Sequence, residues 1–353
     1  MYSIETYKNL KVIVTGSTGF KGSWLCFWLN IAGAKVIGVA LKPEKGSIIF
    51  NKLNLKKKIK QIYLNINNFE KLNDVIRREK PDIIFHLAAQ SIVSLSYLNP
   101  LNTFSTNVIG SLNILESVRK NKIKNLVYIT SDKCYLNDDR ATAYFENDVL
   151  GGKDPYSASK ACAEFTFRSY FKSFFQRKQK LSYATTRAGN VVGGGDMKKD
   201  RVVPDVIKSL QNKTKLIIRN PKATRPWQHV LEPLSGYLEL GDHLINQRLP
   251  KSIVPNWNFG PNLSNCKTVL EVTKRIIFFW GKKKKIILLK NKKFKESKLL
   301  MLSSKKAKKE LNWSPRLTFN ETMRMTVEWY KVLFSNGNIE KKSENQIEFF
   351  LSK

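Results

Sequence analysis

Residues 15–22, TGSTGFKG, restrict the fold of this chain more than any other stretch, because they join a strand-like run to a helical pattern. The run KVIVTG before them is β-branched, and residues 20–32 after them carry apolar side chains at helical spacing. Gly16, Gly19 and Gly22 follow GxxGxxG spacing. Glycines let a backbone turn tightly and approach a pyrophosphate at a positive helix N-terminus. The stretch predicts a dinucleotide-binding loop, with a glycine-rich turn that binds nothing as the alternative.

The same alternation continues through the N-terminal half of the chain. Strand-like runs AKVIGVAL, QIYLNI, PDIIFHLAA, NLVYITS and SYATTRAGN alternate with helical patterns near residues 68–79, 101–121 and 157–176. Repeated β-α-β units predict an α/β fold with a doubly wound parallel (Rossmann) sheet, covered by helices on both faces. The predicted division is a dinucleotide-binding domain over 1–190, a smaller substrate domain over 191–335 with segments returning to the first, and a loose tail or edge helix over 336–353.

One usual feature of dinucleotide sites is missing from the second strand. An acidic residue at its end commonly binds the ribose 2′-hydroxyl. Here that end reads VALKPEKG, with Lys42 present and no acid before Glu44. The loop therefore predicts a dinucleotide, and the second strand leaves NAD and NADP open.

The segment DPYSASKACAE places Tyr156 and Lys160 one turn apart on the same face of a predicted helix. A neighbouring ammonium and an oxidised nicotinamide would lower the pKa of the tyrosine from about 10 towards neutrality and make it a usable base. YxxxK is common by chance, but here it follows a dinucleotide loop, and Ser131 stands at the end of a preceding strand. These three residues predict a hydride-transfer site in which Ser131 binds the hydroxyl that Tyr156 deprotonates.

Together these motifs resemble the extended short-chain dehydrogenase/reductase family. More narrowly, TGSTGFKGSW, SDKCY, GGKDPYSASKACAE, RAGNVVGGGD and IIRNPKATRPWQHVLEPLSGYL are similar to the CDP-glucose branch of the nucleotide-sugar 4,6-dehydratases, over about residues 8–335. The resemblance implies NAD as cofactor, CDP-glucose as substrate and a homodimer formed through helices of the first domain.

The reaction that this resemblance implies is redox-neutral overall. Tyr156 removes the C4 hydroxyl proton while hydride passes from C4 to NAD⁺, and the new ketone acidifies the C5 proton. Water is then lost across C5 and C6, and hydride returns to C6 to give the 4-keto-6-deoxy sugar. Elimination needs an acid and a base beyond the tyrosine and lysine. By position, Asp132 is the general acid and Lys133 the candidate C5 base.

The implied roles of Asp132 and Lys133 depend on two conditions. A lysine with a pKa near 10.4 is a poor base at pH 7, and we expect Lys160 and the nicotinamide to lower the pKa of Lys133. Adjacent residues on a regular strand face opposite sides, so both reach one sugar only if the strand has ended by Ser131. A base elsewhere in the chain and a solvated surface ion pair remain the alternatives.

The resemblance also implies contacts along the chain. For the cofactor these are Gly16, Ser17, Thr18, Gly19, Phe20, Lys21, Gly22, Asn65, Ile66, Leu87, Ala88, Ala89, Tyr156 and Lys160. For the substrate they are Arg187, Asn190, Arg201, Arg219, Arg225 and His229, since arginine forks suit a pyrophosphate. Relatives commonly have aspartate where Asn65 stands, and an amide can still accept a bond from the adenine amine. A packed imidazole is the alternative for His229, and His86 is predicted to be structural.

The net charge of +34 suggests nucleic acid or another polyanion as a partner. The lysine runs LKKKIK and GKKKKIILLKNKKFK lack interleaved aromatic residues, and lysine, asparagine and isoleucine are abundant throughout, so a solvated basic surface is favoured. No stretch approaches about 18 uninterrupted apolar residues, which argues against a membrane span, and the first ten residues lack a signal-peptide pattern. The scattered Cys26, Cys134, Cys162 and Cys266 predict free thiols, a reducing cytoplasm and no metal site.

Two other functions remain open at this point. An epimerase or decarboxylase on the same fold would keep Ser131, Tyr156 and Lys160 but would not need Asp132. A non-enzymatic basic binding protein built on this scaffold is favoured by the charge and disfavoured by the intact triad.

Overall fold

The computed structural model describes residues 4–43, 48–140, 142–176, 182–198, 201–249, 254–288 and 300–353. Within these residues the strands are β1 (Lys11–Thr15), β2 (Lys35–Ala40), β3 (Lys60–Tyr63), β4 (Ile83–His86), β5 (Asn125–Ile129), β6 (Tyr183–Ala188), β7 (Val191–Val192), β8 (Leu216–Ile218), β9 (Thr224–Pro226), β10 (Gln228–His229), β11 (Asn256–Phe259), β12 (Cys266–Thr268) and β13 (Ile286–Leu288).

The helices of the same residues are α1 (Phe20–Ile31), α2 (Ile49–Lys52), α3 (Leu55–Lys58), α4 (Phe69–Glu79), α5 (Val93–Leu98), α6 (Pro100–Phe104), α7 (Ser111–Lys120), α8 (Pro155–Tyr170), α9 (Val202–Gln211), α10 (Leu231–Ile245), α11 (Val269–Trp280), α12 (Lys305–Leu311), α13 (Phe319–Phe334) and α14 (Ile339–Leu351). Short 3-10 turns lie at Ile4–Tyr7, Asp132–Cys134 and Leu263–Asn265, and π-helical turns follow α6 at Ser105–Gly110 and α8 at Phe171–Phe175.

The central sheet has seven strands in the order β11-β6-β5-β4-β1-β2-β3, and each neighbouring pair is parallel. Val12 of β1, for example, is paired with Val36 on one side and Ile83 on the other. The strand order reverses between β1 and β4, and ligands of such sheets bind at the carboxyl ends of the strands beside this reversal. The predicted doubly wound parallel α/β sheet is confirmed.

Burial explains why the central strands are so apolar. Every residue of β4 and β5 is buried, as is β1 except for Lys11 at its start. Strands of a parallel sheet are covered on both faces, so they form continuous apolar runs rather than alternating ones. The carboxyl ends of these buried strands are therefore fixed by packing on both faces of the sheet.

The helix that carries Tyr156 begins where its sequence dictates. Asp154 caps α8 by accepting the backbone N–H of Ser157 at 2.9 Å, and Pro155 occupies the first helical turn. An acidic side chain at the cap accepts hydrogen bonds from N–H groups that would otherwise be unpaired, and the positive helix N-terminus stabilises its negative charge. Proline suits the first turn because its φ angle is already helical. Tyr156 is thereby held at the start of the helix.

The second half of the chain contributes to the same sheet and covers it. β11 returns to pair with β6, while β7 with β10, β8 with β13 and β9 with β12 form two-stranded sheets. At the C-terminus, α14 is a packed helix rather than a loose tail: the Phe350 ring meets Trp28 edge to face, 5.8 Å apart, and the Trp329 indole N–H donates to Ser343.

The bulk features have simple positions. The lysines of LKKKIK lie on α3 and the start of β3, and the second lysine run extends beyond residue 288, so residues 289–295 of it fall outside the described part of the chain. Cys26, Cys134, Cys162 and Cys266 are free thiols, as predicted. No helix in the described ranges combines the length and the apolar character that crossing a bilayer requires.

Candidate active site

The glycine loop connects β1 to α1 and needs its glycines for close contact. Gly16 has φ +72°, and a Cβ there would lie 2.9 Å from the backbone nitrogen of Ala88. A Cβ at Gly22 would lie 2.1 Å from the Gly16 carbonyl oxygen, so no side chain fits without moving backbone. The Gly19 N–H donates to the Gly16 carbonyl at 3.0 Å, and Gly19 caps α1. The loop thus forms a cradle at a helix N-terminus that fits a dinucleotide pyrophosphate.

The loop is tied to the strands on either side. The Ser17 hydroxyl donates to Gln61 on β3 at 2.8 Å, and the Thr18 hydroxyl donates to the Leu41 carbonyl at 3.0 Å. Lys42 follows β2 and is exposed, while Glu44 lies outside the described residues. Asn65 is also exposed, and its side-chain oxygen accepts the Asn67 N–H at 3.0 Å, so its predicted adenine contact stays a prediction.

The end of β4 forms the floor beside this loop. The Thr15 hydroxyl accepts the backbone N–H groups of Leu87 and Ala88, both at 3.1 Å, and lies 2.8 Å from Nδ1 of His86. Nε2 of His86 lies 2.9 Å from the Ser111 hydroxyl, and burial lowers the pKa of His86 to about 3. The imidazole is therefore neutral and fixed between two hydroxyls, which matches its predicted structural role.

The segment after β5 satisfies the geometric condition for the acid and base. The strand ends at Ile129, Ser131 is extended with φ −163°, and a 3-10 turn begins at Asp132. The Ser131 hydroxyl donates to Oδ1 of Asp132 at 2.9 Å. Asp132 is buried and Lys133 is partly exposed. Burial raises the pKa of Asp132, with Lys133 as the largest opposing influence, and a raised pKa is what a general acid requires.

Tyr156 and Lys160 lie buried beside this turn on α8. Burial raises the pKa of Tyr156 to about 12, against the opposing hydrogen bond from Ser131. Burial also lowers the pKa of Lys160 to about 8. The protein groups alone therefore do not lower the pKa of Tyr156 as expected, because desolvation of the phenolate outweighs their effect. Ser131 and Tyr156 are nonetheless brought together, as the motif spacing predicts.

Lys21 belongs to the same cluster as the acid. Its ammonium donates to the buried Tyr237 hydroxyl at 3.3 Å and lies 5.6 Å from the centre of that ring. Burial lowers the pKa of Lys21 to about 8, helped by the nearby Lys160 and opposed by Asp132. Lys21 thus lies near Asp132 and Lys160 as well as in the glycine loop.

Two of the predicted substrate contacts, which stay predictions, have buried side chains that are held by other protein groups. Arg187 is 1% exposed, and its guanidinium forms a two-pronged ion pair with Glu164 at 2.9 and 2.8 Å. His229 is fully buried, its Nδ1 accepts the Leu231 N–H at 3.4 Å, and its ring meets Trp24 edge to face. Burial lowers the pKa of His229 to about 3, so it is a packed neutral imidazole.

The other predicted substrate contacts are reachable from solvent. Arg201 donates to Asp196 at 2.6 Å and lies close enough to Tyr156 to lower its pKa. Asn190 and Arg225 are partly exposed, and Arg225 donates to the Thr224 carbonyl at 2.8 Å; Arg219 is exposed. Arg201 is the arginine of this set whose charge lowers the pKa of Tyr156.

Sequence reasoning missed Glu164, Tyr237 and the position of Lys21 against Asp132. Glu164 carried a usable signal, since it lies one turn beyond Lys160 on the predicted helix and an acid at that spacing faces the lysine side. Tyr237 carried none, because only tertiary packing brings α10 to the glycine loop.

Comparisons with known proteins agree with this geometry. A family model described as GDP-mannose 4,6 dehydratase matches residues 13–326. The chain is 41% identical over 351 residues to the CDP-glucose 4,6-dehydratase of Salmonella typhimurium, covering 98% of this chain and 97% of that protein. It is also similar to the solved dTDP-glucose 4,6-dehydratase of Bacillus anthracis in complex with NAD, at 26% identity and a TM-score of 0.76, covering 91% of this chain and 96% of that one. The Thermotoga maritima UDP-glucose 4-epimerase with UDP-glucose, at 22% identity and a TM-score of 0.79, covers 92% of this chain and 100% of its own and shares the fold.

Proposed function

Because the chain belongs to the nucleotide-sugar 4,6-dehydratases, an NAD-dependent family of extended short-chain dehydrogenases/reductases, we propose that it converts CDP-D-glucose into CDP-4-keto-6-deoxy-D-glucose and water. The observation that carries this proposal is the buried carboxyl of Asp132, bonded to Ser131 beside Tyr156 and Lys160. An epimerase needs the serine, tyrosine and lysine, whereas elimination of water needs the additional acid. The division of the chain into two domains near residue 190 is part of the same proposal.

Ser131 and Tyr156 act first in this mechanism. The Ser131 hydroxyl orients the C4 hydroxyl of the sugar, and the Tyr156 phenolate takes its proton. NAD, held at the glycine loop, supplies the hydride acceptor and donor and the positive charge that favours a phenolate. The Lys160 ammonium adds a second positive charge beside the tyrosine, provided that the lysine stays protonated in its buried position.

Asp132 and Lys133 act in the elimination. Once C4 is a ketone, the C5 proton is acidic and Lys133 is the proposed base. The buried Asp132 carboxyl gives its proton to the C6 hydroxyl, which leaves as water. Burial favours the protonated form that this step uses. The end of β5 before Ser131 supports both roles, because it frees the two side chains from the opposed directions of a strand.

The substrate end is proposed to bind through the reachable arginines. Arg201 lies next to the catalytic tyrosine and is a suitable partner for the pyrophosphate, with Arg225, Arg219 and Asn190 further along the matching segments. A fork-shaped guanidinium can bind two phosphate oxygens at once. The preference for cytidine rests on the similarity to the CDP-glucose enzyme alone.

A single incubation tests the proposed reaction. Purified protein is mixed with NAD⁺ and CDP-glucose, and separately with UDP-glucose and dTDP-glucose, and the products are read by mass spectrometry. Loss of one water from CDP-glucose supports the dehydratase. An isobaric new sugar would indicate an epimerase, and unchanged sugars in all three reactions would indicate a binding protein.

We also propose a homodimer formed through the helix that carries Tyr156 and the two helices packed against it. α5, α6 and α8 pack on one another, and they carry exposed apolar side chains at Tyr97, Leu98, Leu101 and Phe165. Leu98 and Leu101 are 79% and 84% exposed, and large apolar side chains left exposed on helices that pack together are typical of an interface. A second copy of the chain is the proposed occupant, and light scattering of the purified protein tests it.

A further inference from the structure

Glu164 is the centre of a buried hydrogen-bond network next to the catalytic residues. Its carboxylate accepts the Thr130 hydroxyl at 2.5 Å, the Thr185 hydroxyl at 3.1 Å, and Nε and Nη2 of Arg187 at 2.9 and 2.8 Å. Glu164 and Arg187 are 4% and 1% exposed. Both carboxylate oxygens are thus used by donors, and the ion pair is closed to solvent.

The network binds the residues immediately before and after the 3-10 turn that contains Asp132. Thr130 immediately precedes Ser131, so its bond to Glu164 ties the end of β5 to α8. On the far side of the turn, Nη1 of Arg187 donates to the Tyr135 hydroxyl at 2.6 Å and to the Glu146 carbonyl at 3.0 Å. Tyr135 closes the 3-10 turn that holds Asp132. The residues that carry the serine and the acid are therefore anchored before and after.

A buried ion pair adds little net stability, because removing two charges from water costs about as much as their attraction returns. Its position is therefore the informative feature. We propose that Glu164 and Arg187 are positioning residues, which hold the Thr130–Tyr135 segment against the Tyr156–Lys160 face of α8. This inference rests on the proposed function for its kinetic consequences only.

The first test measures the mobility of the catalytic turn without any substrate or cofactor. Hydrogen–deuterium exchange read by mass spectrometry follows the backbone amides of residues 130–135. The double variant E164Q/R187M removes both charges, so it leaves no unpaired buried charge, and we expect these amides to exchange about tenfold faster in it. Unchanged exchange in the folded double variant overturns the positioning role.

The second test separates positioning from general stability with a matched pair. Thr130→Val and Thr185→Val are isosteric, and each removes one hydroxyl from Glu164, but only Thr130 adjoins Ser131. For T130V we expect kcat to fall by about tenfold or more with KM within about twofold, since small misplacements of catalytic groups are costly. T185V should stay within about twofold of the original protein in both constants. Equal effects of the two variants refute the positioning role.

The two proposals fail in different ways. If the unmodified protein leaves CDP-glucose unchanged, the proposed function fails, while the hydrogen–deuterium exchange of residues 130–135 still decides the positioning role. If the unmodified protein is active but E164Q/R187M and T130V behave as it does, the positioning role alone fails.

Discussion

Glu232 provides a quantitative test of how burial controls charge in this fold. Its Oε1 accepts the backbone N–H groups of Arg316 and Leu317 at 2.9 and 2.6 Å, and Oε2 has no hydrogen-bond partner among the described residues. The carboxyl thereby links α10, which carries Tyr237, to the segment before α13. Burial raises the pKa of Glu232 from 4.5 to about 7.

The sign and size of the effect follow from that pKa. Below about pH 4.5 the carboxyl is protonated in the folded and the unfolded protein, so its burial does not reduce the free energy of unfolding. As pH rises through 7, the unfolded state releases the proton more readily than the native state, so native stability falls. Because one pKa unit corresponds to about 1.4 kcal/mol, the full loss is about 3 kcal/mol, of which about 2–3 kcal/mol falls between pH 5 and 8.

Glu232→Gln removes this titration, because an amide keeps an oxygen for the two N–H groups and cannot ionise. Urea unfolding at pH 5 and pH 8 measures the difference in unfolding free energy between the original protein and the variant. Relative to the original protein, we expect the unfolding free energy of the variant to be about 2–3 kcal/mol higher at pH 8 than at pH 5. The exposed Glu70→Gln is the control and should show the same small difference at both pH values. A difference for E232Q that varies by less than about 1 kcal/mol would refute the reasoning.

Four further substitutions test the site and the interface. Gly22→Ala places a Cβ 2.1 Å from the Gly16 carbonyl oxygen, so thermal unfolding should show a loss of about 1–3 kcal/mol and a cofactor titration should show weakened NAD binding. Asp132→Asn should slow water loss by about 100-fold or more, and the 4-keto glucose intermediate, trapped with borodeuteride and detected by mass spectrometry, should accumulate. Lys133→Ala should abolish water loss with NAD binding unchanged, and full activity would remove this lysine from the base role. If the proposed dimer forms, Leu101→Glu should convert it to a monomer in light scattering, and an unchanged mass would place the interface elsewhere.

The parts of the fold that the sequence predicts are those set by local signals. The six strands of the N-terminal half and the glycine loop follow from β-branched runs, helical spacing and glycines that the loop cannot replace. The start of the helix that carries Tyr156 is equally local, because Asp154 and Pro155 determine it. These features lie in consecutive residues, so no knowledge of distant packing is needed to predict them.

The parts that escaped prediction depend on partners far away in the chain. An arginine in RAGN suits a phosphate and a buried carboxylate equally well, and only tertiary packing pairs Arg187 with Glu164. His229 is similar, since its burial against Trp24 depends on a contact between α1 and β10. The C-terminal helix is held in place where Phe350 packs against Trp28, a residue more than 300 positions earlier in the chain. The spacing of apolar residues in that segment is compatible with either a loose tail or a helix.

The adjacency of the proposed acid and base has a consequence for the acid. Burial raises the pKa of Asp132, and Lys133 is the largest influence that opposes this rise. Lys133→Ala removes that opposing charge, so the Asp132 carboxyl should stay protonated to a higher pH in the variant than in the original protein. The proposed roles of the two residues are therefore coupled electrostatically, and a substitution of the lysine acts on the proposed acid as well as on the proposed base.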